Sequence, residues 1–136
     1  MVKHFLILPA LLLGVVALSQ ESSPAPAGAF KVPADIAGKT NPVKPTADGI
    51  AHARKTYGYD CAMCHGANGD GKGDIAGDMK LKDYRDPAAL KDLTDGELFY
   101  IIQKGKDQMP PEGDRAKPDD IWNLVTLVRS FSKPSP

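Results

Sequence analysis

Residues 60–74 read DCAMCHGANGDGKGD. This stretch holds both cysteines of the chain, Cys61 and Cys64, one of its three histidines, His65, and a glycine run that starts at Gly66. Two signals overlap here, a thiol pair beside an imidazole and a near match to phosphate or calcium loops. The glycine run is the weaker signal. Gly66 to Lys72 fits the first seven places of a phosphate-binding loop, but Gly73 stands where a Mg²⁺-binding Ser or Thr is required, and no strand pattern precedes it. As a calcium loop it would place Asn68, Asp70 and Lys72 at positions 1, 3 and 5, a cation where a carboxylate is wanted, and Met79 in place of the glutamate at position 12. The run reads instead as a turn that leaves His65.

Cys61-Ala62-Met63-Cys64-His65 is C-x-x-C-H, the spacing by which two thiols add to the vinyl groups of one haem and the next histidine binds its iron. One helical turn puts both sulfurs along one edge of a porphyrin and aims the imidazole at its centre. Three other uses of the thiols compete. A C-x-x-C disulfide is chemically open to an exported chain. A thioredoxin-like redox motif would need a βαβ pattern, which is absent. A zinc site would need four ligands, and His52 is the remaining candidate, at a spacing unlike a finger or ribbon. The expectation is one covalently attached haem c, linked through Cys61 and Cys64 with His65 on the iron.

The second axial ligand decides the chemistry, because an open iron position invites gas or peroxide reactions and a filled one favours electron transfer. Met63 lies between the cysteines and reads as packing. Met79 lies in a glycine-rich loop without rigid support, and His52 reads as a solvated helix-surface residue. Met109 is followed by Pro110-Pro111, which restrict its backbone, and lies between two helical patterns. Met109 is the expected ligand.

The N-terminus reads MVKHFLILPALLLGVVALSQ. Lys3, an apolar run over residues 5–18 and the small residues Ala17-Leu18-Ser19 make an export signal over 1–19, cleaved near Ser19. An uncleaved anchor is the alternative, although Pro9 interrupts a run shorter than the ~20 residues of a spanning helix. The mature protein is expected to begin outside the cytoplasm. Residues 20–45 are rich in Pro and Ala, lack apolar periodicity and read as a tether. The alternative for that segment is an arm draped over the domain and anchored by Phe30, Val32 and Ile36. Lys plus Arg and Asp plus Glu both number 17, so charge points to neither nucleic acid nor an anionic membrane.

The domain is expected over 46–133. Thr46 reads as an N-cap, followed by Asp48 and by Ile50, Ala53 and Tyr57 at helical spacing, so one helix runs into the cysteines. Thr94 to Glu97 has capping-box spacing, with Leu98, Ile101 and Ile102 on one face and a stop at Gly105. Pro118 opens a third helix with Asp119 and Asp120 in its first turn and Ile121, Leu124, Val125, Val128 and Phe131 as its buried stripe. A weaker helix is expected over residues 87–91. No strand pattern competes, so the fold class is all-α, three main helices with long loops around the haem as apolar filler.

The motif C61-A-M-C-H65, the segment G105-K-D-Q-M109-P-P and the closing helix I121-W-N-L-V-T-L-V-R-S-F131 together resemble a class I monohaem cytochrome c of the small bacterial periplasmic type, over about two-thirds of the chain. The resemblance implies that the first and last helices cross at a small residue and two aromatics, and that His and Met hold the iron. Ala53 stands where glycine is usual, Tyr57 is the first aromatic, and Leu127 stands where the second is common. The implied compartment is the periplasm, and the implied role is a single-electron carrier between redox partner proteins, not an enzyme. The mature form would lack a membrane span and be a monomer or a complex subunit. A subunit of a dehydrogenase or oxidase complex is the first alternative, and a five-coordinate gas sensor or peroxidase the second. Trp122 is a candidate for a haem propionate, or plain core. The lysines at 72, 80, 82, 104 and 106 could frame the haem edge, but Asp70, Asp74, Asp78, Asp83 and Asp107 interleave with them.

Overall fold

The computed structural model describes residues 30–133. The export signal at 1–19, its cleavage near Ser19 and the tether residues 20–29 lie outside the described residues. In chain order the elements are a single turn α1 (Ala34–Ala37), the helix α2 (Ala47–Thr56), a wide π-type turn (Tyr57–Cys61), a short helix α3 (Ala62–His65), α4 (Asp95–Lys104) and α5 (Pro118–Ser130). Among the described residues there is no strand beyond an isolated bridge between Lys106 and Met109. None of the described helices is long and apolar enough to cross a membrane.

The helix starts follow their local chemistry. The Thr46 side chain accepts from the Gly49 N–H at 3.0 Å. At α4 the capping box is complete, since Thr94 Oγ1 accepts from the Glu97 N–H and the Glu97 carboxylate accepts from the Thr94 N–H at 2.8 Å. Each such reciprocal pair satisfies two donors that a helix start leaves orphaned. Pro118 fills the first position of α5, where its missing N–H costs nothing. The weak helix expected over residues 87–91 does not form. Asp86, Ala89 and Leu93 N–H groups instead donate three residues back in successive turns. Asp83 and Asp86 side chains draw N–H groups two residues ahead into such turns, at Arg85 and Ala88.

The core lies where α2 and α5 cross, with α4 laid against α5. Ile121, Leu124, Val125 and Leu127 are its largest fully buried side chains. Ala53 is buried in the same cluster and Tyr57 extends it. The aromatic that meets Tyr57 is Phe131, with ring centroids 5.1 Å apart. Leu127, expected to stand in for that aromatic, is instead buried core, and the aromatic contact moves one helical turn on. Trp122 stacks on Phe99 at 4.2 Å and is also core.

Residues 30–45 are a docked arm, not a free tether. The Gly96 N–H donates to the Lys39 carbonyl at 3.0 Å and Thr94 Oγ1 to the Ala37 carbonyl at 2.6 Å. The Asn41 amide donates to the Trp122 carbonyl and to Thr126 Oγ1, both at 2.9 Å. Phe30 packs against Tyr100, and Ile36 and Val43 pack on the core. The proline content that suggested a tether suppresses regular structure without preventing docking, because turns and side chains satisfy the arm's polar groups.

Candidate functional site

The C-x-x-C-H segment begins in the wide turn and ends as α3, so α2 delivers it to the edge of the core. Tyr57 forms the floor, and its hydroxyl donates to the Gly66 carbonyl at 2.9 Å, closing the segment on itself. Burial holds the Tyr57 phenol well above its ordinary pKa, with Cys61 adding to the shift. Beyond His65 the chain folds back along the motif. The N–H groups of Gly71, Gly73 and Ile75 donate to the carbonyls of His65, Cys64 and Met63 at 2.8, 3.1 and 3.0 Å. These are the carbonyls that a short helix leaves unpaired at its C-terminus. The Asp70 carboxylate accepts from the Lys72 N–H at 3.0 Å, so it serves the turn that the glycine run was read to be.

Cys61 and Cys64 are free thiols, each partly buried. Burial pushes the Cys61 thiol up to about 12, and the nearby Glu112 and Asp60 carboxylates add to that rise. His65 stacks on Tyr84 with ring centroids 5.2 Å apart. Burial lowers the His65 pKa, which keeps the imidazole neutral, the form that binds metal. Its Nδ1 is buried without a hydrogen-bond partner.

Met109 lies in the loop between α4 and α5. Gly105 ends α4 with φ +73°, and a side chain there would meet the Met109 carbonyl and the Pro111 nitrogen. Lys106 and Met109 exchange two backbone hydrogen bonds of 2.8 and 3.0 Å, closing a tight loop across Asp107, whose φ is +55°. Met109 is partly buried and packs on the same cluster as Cys61. The other sixth-ligand candidates lie elsewhere. Met63 and Met79 are exposed, at 51% and 38%. His52 faces Asp120 at 3.8 Å, with a side chain 58% exposed.

The residues present fit a haem. Two free thiols one helical turn apart, a neutral imidazole with a buried nitrogen lacking a partner, and a thioether on a rigid loop form a borderline-to-soft N and S donor set suited to haem iron. Among the described residues, no group of three or more His, Cys, Asp or Glu is arranged to hold a metal ion, so the zinc arrangement finds no support. Sequence reasoning missed Tyr84 beside His65, and also Glu112, Arg115 and Asp60 beside Cys61. Tyr84 carries no periodicity that would mark it. Glu112 and Arg115 did carry a signal, opposite charges three apart in a polar loop.

An all-helical frame that carries C-x-x-C-H at the end of its first long helix has the cytochrome c fold, and the protein is a c-type cytochrome. Residues 48–128 match the family described as cytochrome c oxidase, cbb3-type, subunit III, and the chain belongs to that family. Proteins of the c-type carry a covalently attached haem c. The chain is 27% identical over 81 residues to the cytochrome c6 of Diacronema lutheri, covering 60% of this chain and 94% of that one. Among solved structures it is similar to the c-type cytochrome KustC0563, with TM-score 0.54, 26% identity and 60% and 98% of the two chains covered. It also shares its fold with a chain of the reducing HAO-like protein complex of Kuenenia stuttgartiensis, with TM-score 0.60, 23% identity and 68% of this chain covered. The chain spans about half, 47%, of that chain's length.

Proposed function

We propose that this chain is an exported single-electron carrier of the periplasm, with one haem c attached through Cys61 and Cys64 and ligated by His65 and Met109 within a domain over residues 46–133. The observation that carries the reading is a free thiol pair at C-x-x-C-H spacing followed directly by His65, whose Nδ1 is buried without a hydrogen-bond partner. When bound, haem c supplies a one-electron Fe(III)/Fe(II) couple. The residues around it do the rest. Cys61 and Cys64 retain the group covalently, His65 offers a neutral imidazole, and Met109 offers a soft thioether that favours the ferrous state and raises the potential relative to two imidazoles. No bond is made or broken in the transfer. Encounters with donor and acceptor proteins should be brief, as redox contacts bury small interfaces.

A second reading makes the chain a subunit of a larger redox complex, favoured by the oxidase subunit in the family's description. Both readings meet one experiment. The protein is matured with haem-attachment machinery in an oxidising compartment, and absorption spectra of both redox states are recorded for wild type and Met109→Ala. A low-spin wild type with covalent haem and a weak far-red ferric band that Met109→Ala abolishes is the expected result. Haem-free protein overturns the reading, and a high-spin wild type transfers it to the sensor or peroxidase alternative. Purification from the native source separates carrier from subunit by whether a partner remains bound.

A further inference from the structure

The segment that carries the thiols and the loop that carries Met109 meet at a cluster of three charged residues. Arg115 Nη2 donates to Glu112 Oε2 at 2.6 Å, and Arg115 Nη1 lies 3.7 Å from Asp60 Oδ1. Asp60 directly precedes Cys61. Glu112 follows Met109 across Pro110 and Pro111, two residues of fixed φ, so a displacement of Glu112 is passed to Met109 with little slack. The Glu112 backbone is pinned as well. Its N–H donates to the Ile102 carbonyl at 2.9 Å, and its own carbonyl accepts from Arg115 and Ala116, both at 3.0 Å.

The Glu112 side chain is 8% exposed, an unusual place for a carboxylate unless it is paired. Two carboxylates from different segments thus converge on one guanidinium, whose planar fork can serve both. An ordinary surface ion pair would be worth little. Here the Glu112 end is buried, while the Arg115 and Asp60 side chains are 54% and 30% exposed, and the group joins the two parts of the chain that must stay in register for His65 and Met109 to serve one iron.

We propose that Arg115 is a positioning residue that clasps the Met109 loop to the Cys61 turn by bridging Glu112 and Asp60, and so keeps Met109 from being displaced from the haem iron. The inference rests on the His65/Met109 reading above. Its test is the titration of the ferric holoprotein with imidazole, following loss of the far-red band, for wild type, Arg115→Gln, Arg115→Lys and the double variant Glu112→Gln/Arg115→Gln. Arg115→Gln leaves the Glu112 charge buried and unpaired, so imidazole should displace Met109 at roughly tenfold lower concentration. The double variant removes that stranded charge and should recover part of the loss. Arg115→Lys keeps a point charge without the fork and should shift displacement about threefold. If Arg115→Gln fails to fold, Arg115→Lys carries the test. An intact wild-type band together with unchanged imidazole displacement in the folded variants overturns the clasp alone, even if their thermal stability falls. A wild type without the far-red band overturns Met109 ligation, and the clasp with it.

Discussion

The α2–α5 crossing and the loop of residues 66–93 are held together in different ways. The crossing is filled by its own side chains, with Ile121, Leu124, Val125 and Leu127 fully buried and Ala53 allowing the helices to approach. The loop has backbone hydrogen bonds, among them Tyr84 N–H to the Gly69 carbonyl at 2.7 Å, but few buried apolar side chains. Leu90 and Ala76 are buried there, while Ile75 is 52% exposed. Arg129 of α5 holds the loop's end to the frame by donating to the Leu90 and Leu93 carbonyls and to Asp95. The frame is therefore self-supporting by burial, and the loop is shaped by turns around the motif it follows. From this difference the frame is expected to set global stability and the loop to open locally beneath it.

The largest effect expected in the polypeptide follows from removing core volume. Leu124→Ala deletes a side chain that is 1% exposed and should cost about 2–5 kcal/mol in denaturant unfolding of the holoprotein. Hydrogen exchange sharpens the comparison. Amides of α5 should lose protection by that amount, while those of Gly71, Gly73 and Ile75 should keep theirs, because their local opening leaves the frame folded. Equal losses in both regions would mean that frame and loop open as one unit.

The same contrast sets how much could be read beforehand. Thr94-x-x-Glu97, Pro118 and Gly105 are local instructions, and each acts where its residue stands, so the helix starts and the end of α4 were legible. The C-x-x-C-H pattern was legible for the same reason. Phe131 in place of Leu127 was not, because the partner of Tyr57 depends on how far α5 slides along α2, a tertiary quantity. The docking of residues 30–45 was hidden in the same way, since Asn41 reaches Trp122 and Thr126 across more than 80 positions of sequence. Tyr84 against His65 follows from the path of a loop without period.

A medium effect is expected inside the loop. Gly71 has φ +73°, and a Cβ there would lie 2.8 Å from the Leu81 carbonyl oxygen. Gly71→Ala therefore meets both a left-handed backbone and a close contact, and should cost roughly 1–3 kcal/mol. Here the loop amides should lose protection together with those of α5, since global unfolding includes opening of the loop. Retained protection at Gly73 and Ile75 in this variant would show that the strand-like return along the motif does not depend on its turn.

The smallest effect lies at Asp83 and Arg85, two residues of the loop that face solvent. The Arg85 side chain donates to Asp83 at 2.9 and 2.7 Å, and with the Arg85 backbone N–H it holds the Asp83 carboxyl down to about 2. A carboxyl depressed in the folded state contributes stability that is present above its unfolded pKa of about 3.9 and is lost as pH falls through that value toward about 2. Arg85→Gln should move the Asp83 titration, followed by carboxyl NMR, part of the way back toward about 3.9 and weaken this acid dependence, because the backbone N–H of residue 85 still donates to the carboxylate. Unfolding at neutral pH should change little, because water screens an exposed pair on one loop. A large loss at neutral pH would break the comparison, since it would give a surface turn of the loop the kind of weight that burial gives Leu124 in the frame.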